Sequence, residues 1–112
     1  MEMLAEEREN AVIVRLAGEI DLYNAPDLRQ LLSEQIRKGN TRIVLDMNRI
    51  SYVDSSGLGV LISATTEATK RGGGLKLVSL SQNVRAVIDL VRLNAMFPVY
   101  SSENDAMSAF PA

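Results

Sequence analysis

The chain has 112 residues, of which 46% are hydrophobic and 23% charged, and it carries a formal net charge of −2 at pH 7. Because it contains no histidine and no cysteine, a Ser-His-Asp triad, an imidazole metal site and a disulfide are all excluded. The balance of charge also argues against nucleic acid or an anionic membrane surface as a partner.

The first two predicted elements form an antiparallel pair of strands. Residues 12–16 are a run of aliphatic side chains broken only by Arg15, which is typical of a strand. Residues 2–9 have a composition that favours helix. The break before residue 12 is so short, however, that an antiparallel strand over 3–9 is the simplest explanation. Residues 18–21, with the order Gly-Glu-Ile-Asp, continue as an extended or turning segment.

The next predicted element is a helix over residues 25–38. Asn24 is placed as its N-cap, and Pro26 fits its first turn. Two cations followed by Gly39 are typical of a helix end. Apolar residues recur at helical spacing along one face, namely Leu28, Leu31, Leu32 and Ile36.

A buried strand and a second helix follow. Residues 43–45 are a continuous apolar run, as expected for a parallel strand covered on both faces. Residues 47–52 are predicted to form an amphipathic surface loop, in which Arg49 and Tyr52 are candidate contact residues. A helix then runs to about Lys70 and is broken by the glycines at 72–74, which indicate a turn because no Walker-type Lys-Ser/Thr pair follows them. The stripe of this helix that faces a core consists of Leu58, Leu61, Ile62 and Thr65.

The last third of the chain continues the alternation of strands and helices. We predict a strand over residues 75–78 and a helix that is capped by Ser81 and ends near Asn94. A short edge strand over 97–100 and a terminal helix over 102–109, opened by a capping box, complete the chain. The order β-β-α-β-α-β-α-β-α predicts a single small α/β domain over residues 1–112, with a mixed, mostly parallel sheet of about five strands.

The start of the second helix carries the strongest candidate site. Asp54, Ser55 and Ser56 offer a carboxylate and two hydroxyls where one N-cap residue suffices, and Gly57 and Gly59 leave the backbone of the first turn bare. One interpretation is a plain but generously capped helix. The other is a phosphoacceptor serine, because a helix N-terminus favours a phosphate. A serine hydrolase is disfavoured, since no candidate base is present.

A second candidate lies at the end of the second strand. In open α/β folds, sites form at the carboxyl ends of parallel strands. Asp21 is therefore expected to lie near Ser55. The alternative for Asp21 is a solvated aspartate of a turn.

Together these segments resemble the signature of the STAS-domain family. The resemblance rests on Ile-Val-Leu-Asp at residues 43–46, on the run at 52–61 that contains Asp-Ser-Ser-Gly-Leu-Gly, and on residues 18–21 with the helix that follows. It covers the chain nearly end to end. More narrowly, the sequence is similar to the bacterial anti-sigma factor antagonists of the sporulation and general-stress switches. The resemblance implies a sheet with helices packed mainly on one face.

The resemblance also implies a phosphorylation switch in a protein that is not an enzyme and uses no cofactor or metal. Ser55 corresponds to the serine phosphorylated by an anti-sigma factor that is itself an ATP-dependent serine kinase of the histidine-kinase-like ATPase fold. Unmodified protein would bind that kinase and release a sigma factor. Phosphorylated protein would dissociate until a PP2C-type phosphatase restores it. The partner-binding residues implied are Asp21, Asp54, Ser56, Gly57, Leu58 and Gly59.

The same family includes members with other roles. Some are regulatory domains of anion transporters, some are stressosome scaffold domains, and some are cytoplasmic subunits of lipid-transport ATPases. The last role is the alternative function for this chain, although Ser55 favours the phosphorylation switch. Residues 1–20 lack the apolar core of a signal peptide, and no apolar run approaches the ~20 residues of a membrane span. We therefore expect a cytoplasmic protein without membrane insertion.

Overall fold

A computed structural model describes residues 1–111 as five strands and four helices in the predicted order. The sheet order is β1-β2-β3-β4-β5, with β1 antiparallel to β2 and every other pair parallel. The predicted α/β architecture is therefore confirmed. The elements are β1 (Glu2–Glu7), β2 (Val12–Ile20), α1 (Ala25–Arg37), β3 (Arg42–Val53), α2 (Ser55–Lys70), β4 (Gly74–Val78), α3 (Gln82–Leu90), β5 (Val99–Tyr100) and α4 (Glu103–Ser108).

The two faces of the sheet are covered unequally. Helices α1, α2 and α3 pack on one face around a large aliphatic core, in which Leu28, Leu61 and Ile88 are at most 1% exposed. On the opposite face, α4 and the residues after it cover a smaller cluster. The helices thus lie mainly on one face, as predicted. The smaller cluster consists of Ile13, Val44, Val78, Ala106 and Phe110.

Strand β3 is longer than the sequence pattern indicated, because residues 47–52 belong to it. The prediction of a surface loop there was wrong. The pairing of β3 with β2 shifts register twice in this stretch, as it does where a bulge adds a residue to one strand. Burial consequently recurs at every third residue, at Met47, Ile50 and Val53. This spacing removes the alternation by which a strand is recognised.

Helix α3 ends at Leu90 rather than near Asn94. Arg92 has a φ of 60°, the left-handed conformation that glycine usually supplies after a helix. The backbone N–H of Leu93 donates to the carbonyl of Ile88 at 2.9 Å and so closes the helix end. Because no glycine marks this position, the helical pattern of the sequence continues past the true end.

The contacts of Asn24 also differ from the prediction. Asn24 occupies the N-cap position of α1, but its side chain forms no capping hydrogen bond with the helix. Its Oδ1 accepts from the backbone N–H of Asp21 at 2.9 Å, and its Nδ2 donates to the carbonyl of Glu19 at 2.7 Å. Asn24 therefore fixes the loop between β2 and α1.

The caps predicted for the last two helices are present. The hydroxyl of Ser81 accepts from the N–H of Val84 at 3.2 Å, and the hydroxyl of Ser102 accepts from the N–H of Asp105 at 3.1 Å. The carboxylate of Asp105 accepts from the hydroxyl of Ser101 at 3.3 Å. Of the two hydrogen bonds of a capping box, the one from the backbone N–H of Asp105 to the hydroxyl of Ser102 is therefore formed.

An ion-pair network joins α4 to the sheet. The guanidinium of Arg15 donates to both carboxylate oxygens of Glu103, each at 2.8 Å, and to Glu6 Oε1 at 2.9 Å. Hydrogen bonding from Arg15 lowers the pKa of Glu103 and of Glu6. Burial, together with the nearby Glu103, raises the pKa of Asp46. The network therefore contains carboxyl groups that affect stability in opposite directions.

Replacing Glu103 by glutamine is expected to lower the free energy of unfolding by about 0.5–1 kcal/mol at pH 7. A carboxyl whose pKa is lowered in the folded state stabilises the fold above its unfolded value, and that contribution disappears as the pH falls through the folded value. The difference between wild type and variant should therefore shrink below the ordinary glutamate value of 4.5. Urea denaturation at pH 7 and pH 3 measures both quantities.

Replacing Asp46 by asparagine is the matched control, and its effect should have the opposite sign. The pKa of Asp46 is raised in the folded state, so ionising this carboxyl costs more free energy in the folded than in the unfolded protein. The stability lost in this way is complete once the pH has risen through the folded-state pKa. The amide should raise the free energy of unfolding at pH 7 by less than about 1 kcal/mol. It keeps an oxygen to accept from the N–H of Asn48, a bond of 2.9 Å. A loss of stability at pH 7 would contradict this account.

Candidate functional site

The site predicted at the start of α2 is organised by Asp54. This residue is the N-cap of the helix, and its Oδ1 accepts from the N–H of Gly57 at 3.1 Å. Its Oδ2 accepts from the N–H of Leu22 at 3.1 Å, and its own N–H donates to the carbonyl of Ile20 at 3.1 Å. One side chain therefore caps α2 and holds the loop between β2 and α1 against it.

Ser55 is the first residue of α2 and is exposed, while Ser56 is half-buried. Because Asp54 already supplies the capping hydrogen bond, the hydroxyl of Ser55 is not needed for that purpose. It stands at the positive end of a 16-residue helix, where a negative group is favoured by ~0.3–1 kcal/mol. A plain cap thus accounts for Asp54 and leaves the hydroxyl of Ser55 exposed at the start of the helix.

Asp21 lies in the loop that Asp54 holds. Its Oδ1 accepts from the N–H of Tyr23 at 3.0 Å and from the N–H of Asn24 at 3.1 Å. These are the contacts of an aspartate that shapes a turn. The structure therefore brings the loop of Asp21 to the start of α2, while its carboxylate is occupied within its own loop. A role for Asp21 in partner binding stays a prediction.

The two glycines of the site have different structural roles. A Cβ at Gly57 would lie 2.7 Å from Ile20 Cγ2 and 2.9 Å from Val53 Cγ1, whereas a Cβ at Gly59 would meet nothing within 4 Å. Gly57 is buried and allows α2 to pack closely against the ends of β2 and β3, while its role in partner binding stays a prediction. Leu58 is also buried, at 7% exposed. Both residues therefore support the start of α2 from its core-facing side.

A cleft of about 360 Å³ opens beside Ser55. The loop after β2 and the first turns of α1 form one wall, and the start of α2 forms the other. Arg29 is the charged residue among those that line it, and the sequence pattern gave no reason to include Arg29 in the site. Its place there follows only from the packing of α1 against α2. The cleft is lined by Leu22, Ala25, Pro26, Arg29, Ser55, Ser56, Gly59 and Val60.

Large apolar side chains are exposed at the carboxyl ends of β2 and β3, the end of the sheet where α2 begins. Leu22 is 65% exposed, Tyr23 89% and Tyr52 47%. Leu22 and Tyr23 follow β2, and Tyr52 is the last residue but one of β3, three residues before the start of α2. Exposed apolar side chains at one end of a sheet can contribute to a protein-binding surface, and Leu22 also lines the cleft beside Ser55. We refer to Leu22, Tyr23, Tyr52 and Ser55 together as the Ser55 surface.

What the site offers chemically is an exposed hydroxyl that can accept a group. Within residues 1–111, no cluster of three or more acidic side chains is placed to hold a metal ion. Among the helices of this described part of the chain, none has both the length and the hydrophobicity to cross a bilayer.

Comparison with known proteins identifies the family. The model of the STAS domain family matches residues 2–106. The anti-sigma-B factor antagonist of Bacillus subtilis is 38% identical over 95 residues, which cover 84% of this chain and 85% of the relative. SpoIIAA, an anti-sigma factor antagonist solved in its unphosphorylated form, is 28% identical with a TM-score of 0.83, over 96% of this chain and 94% of the other.

A second structure of that protein, the Bacillus cell fate determinant SpoIIAA in the phosphorylated form, is similar over 96% of this chain and 97% of the other. Its sequence identity is 27% and its TM-score 0.75. The family match over nearly the whole chain agrees with the fold and with the segments at residues 18–21 and 52–61. This chain therefore belongs to the STAS domain family.

Proposed function

We propose that this chain is an anti-sigma factor antagonist, which binds an anti-sigma factor and thereby releases a sigma factor. The proposal is supported by the names of the similar proteins and by the Ser55 surface. The observation that carries it is an exposed serine at the first position of α2, beside a cleft and next to exposed apolar side chains. Such a surface can dock a partner protein and place one hydroxyl within reach of it.

The partner is proposed to be an ATP-dependent serine kinase of the histidine-kinase-like ATPase fold that phosphorylates Ser55. The phosphate would be tolerated by the fold, because it lies at a helix N-terminus. It would be costly in the docked complex, because about −1.5 to −2 charges would have to lose their water against Leu22, Tyr23 and Tyr52. Phosphorylation therefore ends binding without unfolding the protein.

Reversal of the switch requires that a second enzyme reach the same oxygen. Ser55 is exposed, and the cleft beside it leaves the helix start open on one side. A PP2C-type phosphatase is the proposed enzyme. Its action would return the protein to the form that binds the anti-sigma factor.

A pull-down from a bacterial lysate with and without ATP tests the proposal. Without ATP, the unmodified protein should retain a histidine-kinase-like partner. With ATP, that partner should be released, and mass spectrometry should find phosphate on Ser55. A non-hydrolysable ATP analogue is the control, because it fills the nucleotide site without transferring phosphate and should leave the complex intact.

Two outcomes would contradict the proposal. Phosphate on Ser56 or Thr65 with Ser55 unmodified would show that the switch residue was wrongly chosen. Co-purification with a nucleotide-binding transporter subunit, with no phosphorylation of the chain, would favour the alternative role in a lipid-transport ATPase.

A further inference from the structure

A second cleft, of about 240 Å³, lies between α1 and α2. Its apolar lining residues come from the core-facing sides of both helices, and its rim is formed by polar and charged side chains one helical turn apart. On α1 these rim residues are Arg29, Ser33 and Arg37, and on α2 and its C-cap they are Ser63, Glu67 and Arg71. We refer to this cleft as the α1–α2 groove.

The rim of the α1–α2 groove is positively charged, although the chain as a whole carries −2. Three arginines line it against a single acidic residue, Glu67. Arg71 Nη2 lies 3.3 Å from Glu67 Oε1, so these two charges compensate each other. Within residues 1–111, Arg29 and Arg37 form no ion pair. Two guanidinium groups of α1 thus remain available to an anionic partner.

The spacing of these two arginines defines what fits between them. Arg29 and Arg37 are eight residues apart on α1, which places them about 12 Å apart along the helix axis. An extended peptide advances about 3.3 Å per residue and points alternate side chains to the same side. Carboxylates four residues apart on one side of such a peptide therefore match the two arginines. The residue midway between them would face the floor of the groove, where Leu32, Ile36, Val60 and Ala64 are at most 7% exposed.

We propose that the α1–α2 groove binds an extended acidic segment of a partner protein, in which one apolar residue lies between two carboxylates. Arg29 and Val60 line both this groove and the cleft beside Ser55. A segment bound in the groove would therefore adjoin the Ser55 surface, and one partner could occupy both. Only the occupation of both sites by the same partner rests on the proposed function, whereas binding of the acidic segment does not.

A synthetic peptide tests the proposal without the natural partner. The probe contains the order glutamate-serine-leucine-serine-glutamate between terminal glycines, and it is titrated into the ¹⁵N-labelled full chain. Saturable amide shifts are expected at Ser33 and Ser63, which line the groove. Binding should weaken as salt is added, because exposed charges are screened. A peptide with glutamine in place of both glutamates is the control and should produce little shift.

Variants locate the binding charges. The double substitution of Arg29 and Arg37 by alanine should weaken peptide binding about five- to tenfold, as expected for two exposed ion pairs. Arg85→Ala is the matched control, because Arg85 is an exposed arginine of α3 that does not line the groove. It should leave the affinity unchanged. Equal losses in both variants would show a general charge effect and contradict a specific groove.

Three further results would overturn the proposal. These are no saturable shift at the groove, equal binding of the glutamine peptide, and the same shifts from inorganic phosphate at matched ionic strength. None of these measurements involves a kinase. Failure of Ser55 phosphorylation in the pull-down would therefore refute the proposed function and leave the groove intact, while failure here would leave the switch untouched.

Discussion

Replacing Gly57 by alanine is expected to lower the free energy of unfolding by about 1–2 kcal/mol, although alanine is the better helix former. The added Cβ would lie 2.7 Å from Ile20 Cγ2 and 2.9 Å from Val53 Cγ1. Both neighbours are β-branched, at most 1% exposed, and fixed at the ends of strands. They cannot turn away, so α2 must shift outward. Chemical denaturation followed by circular dichroism measures the effect.

Gly59→Ala is the matched control, two residues further along the same helix. A Cβ there meets nothing within 4 Å, so only the gain in helix propensity remains. That variant should be more stable than wild type by about 0.5–1 kcal/mol. If both variants were equally stable, the contact between α2 and the strand ends would not be as tight as the distances indicate.

The same substitution should also affect partner binding indirectly. Asp54 caps α2 through the N–H of Gly57 and holds Leu22 with its other carboxylate oxygen. An outward shift of α2 therefore changes the position of Ser55 relative to the loop that carries Leu22 and Tyr23. We expect Gly57→Ala to weaken partner binding even under conditions in which the variant is fully folded.

Local signals explain why much of this fold could be predicted. The aliphatic run at residues 43–45, the glycines at 72–74 and the helical period of residues 58–65 each report on a few neighbouring positions. Asp54 is an N-cap for the same reason, since its bond to Gly57 spans three residues. The candidate site could be predicted from the sequence because its centre, the capped start of α2, is a motif of a few consecutive residues.

The features that could not be predicted depend on contacts between distant segments. The register shifts that extend β3 through residue 52 exist only in the pairing with β2. The need for glycine at position 57 arises from Ile20 and Val53. Arg29 joins the cleft because α1 packs beside α2. No periodicity within one element contains this information, so the extent of the site emerged only from the tertiary structure.

Ser55→Ala is expected to abolish incorporation of phosphate into the chain and to keep the kinase partner bound in the presence of ATP. The variant lacks the acceptor oxygen, but the cap is unaffected because Asp54 supplies it. Its stability should therefore stay within about 0.5 kcal/mol of wild type. Transfer of radiolabelled phosphate from ATP and retention of the partner on immobilised protein measure the two effects.

Ser55→Asp separates charge from chemistry. One permanent negative charge at this position should weaken partner binding by about tenfold or more, because it must lose its water against the apolar side chains of the Ser55 surface. Phosphoserine carries more charge and should weaken binding further. Ser56→Ala is the control, because Ser56 is half-buried. This variant should still be phosphorylated, and its complex with the partner should still dissociate when ATP is present. If Ser55→Asp bound as tightly as wild type, negative charge at the start of α2 could not be what releases the partner.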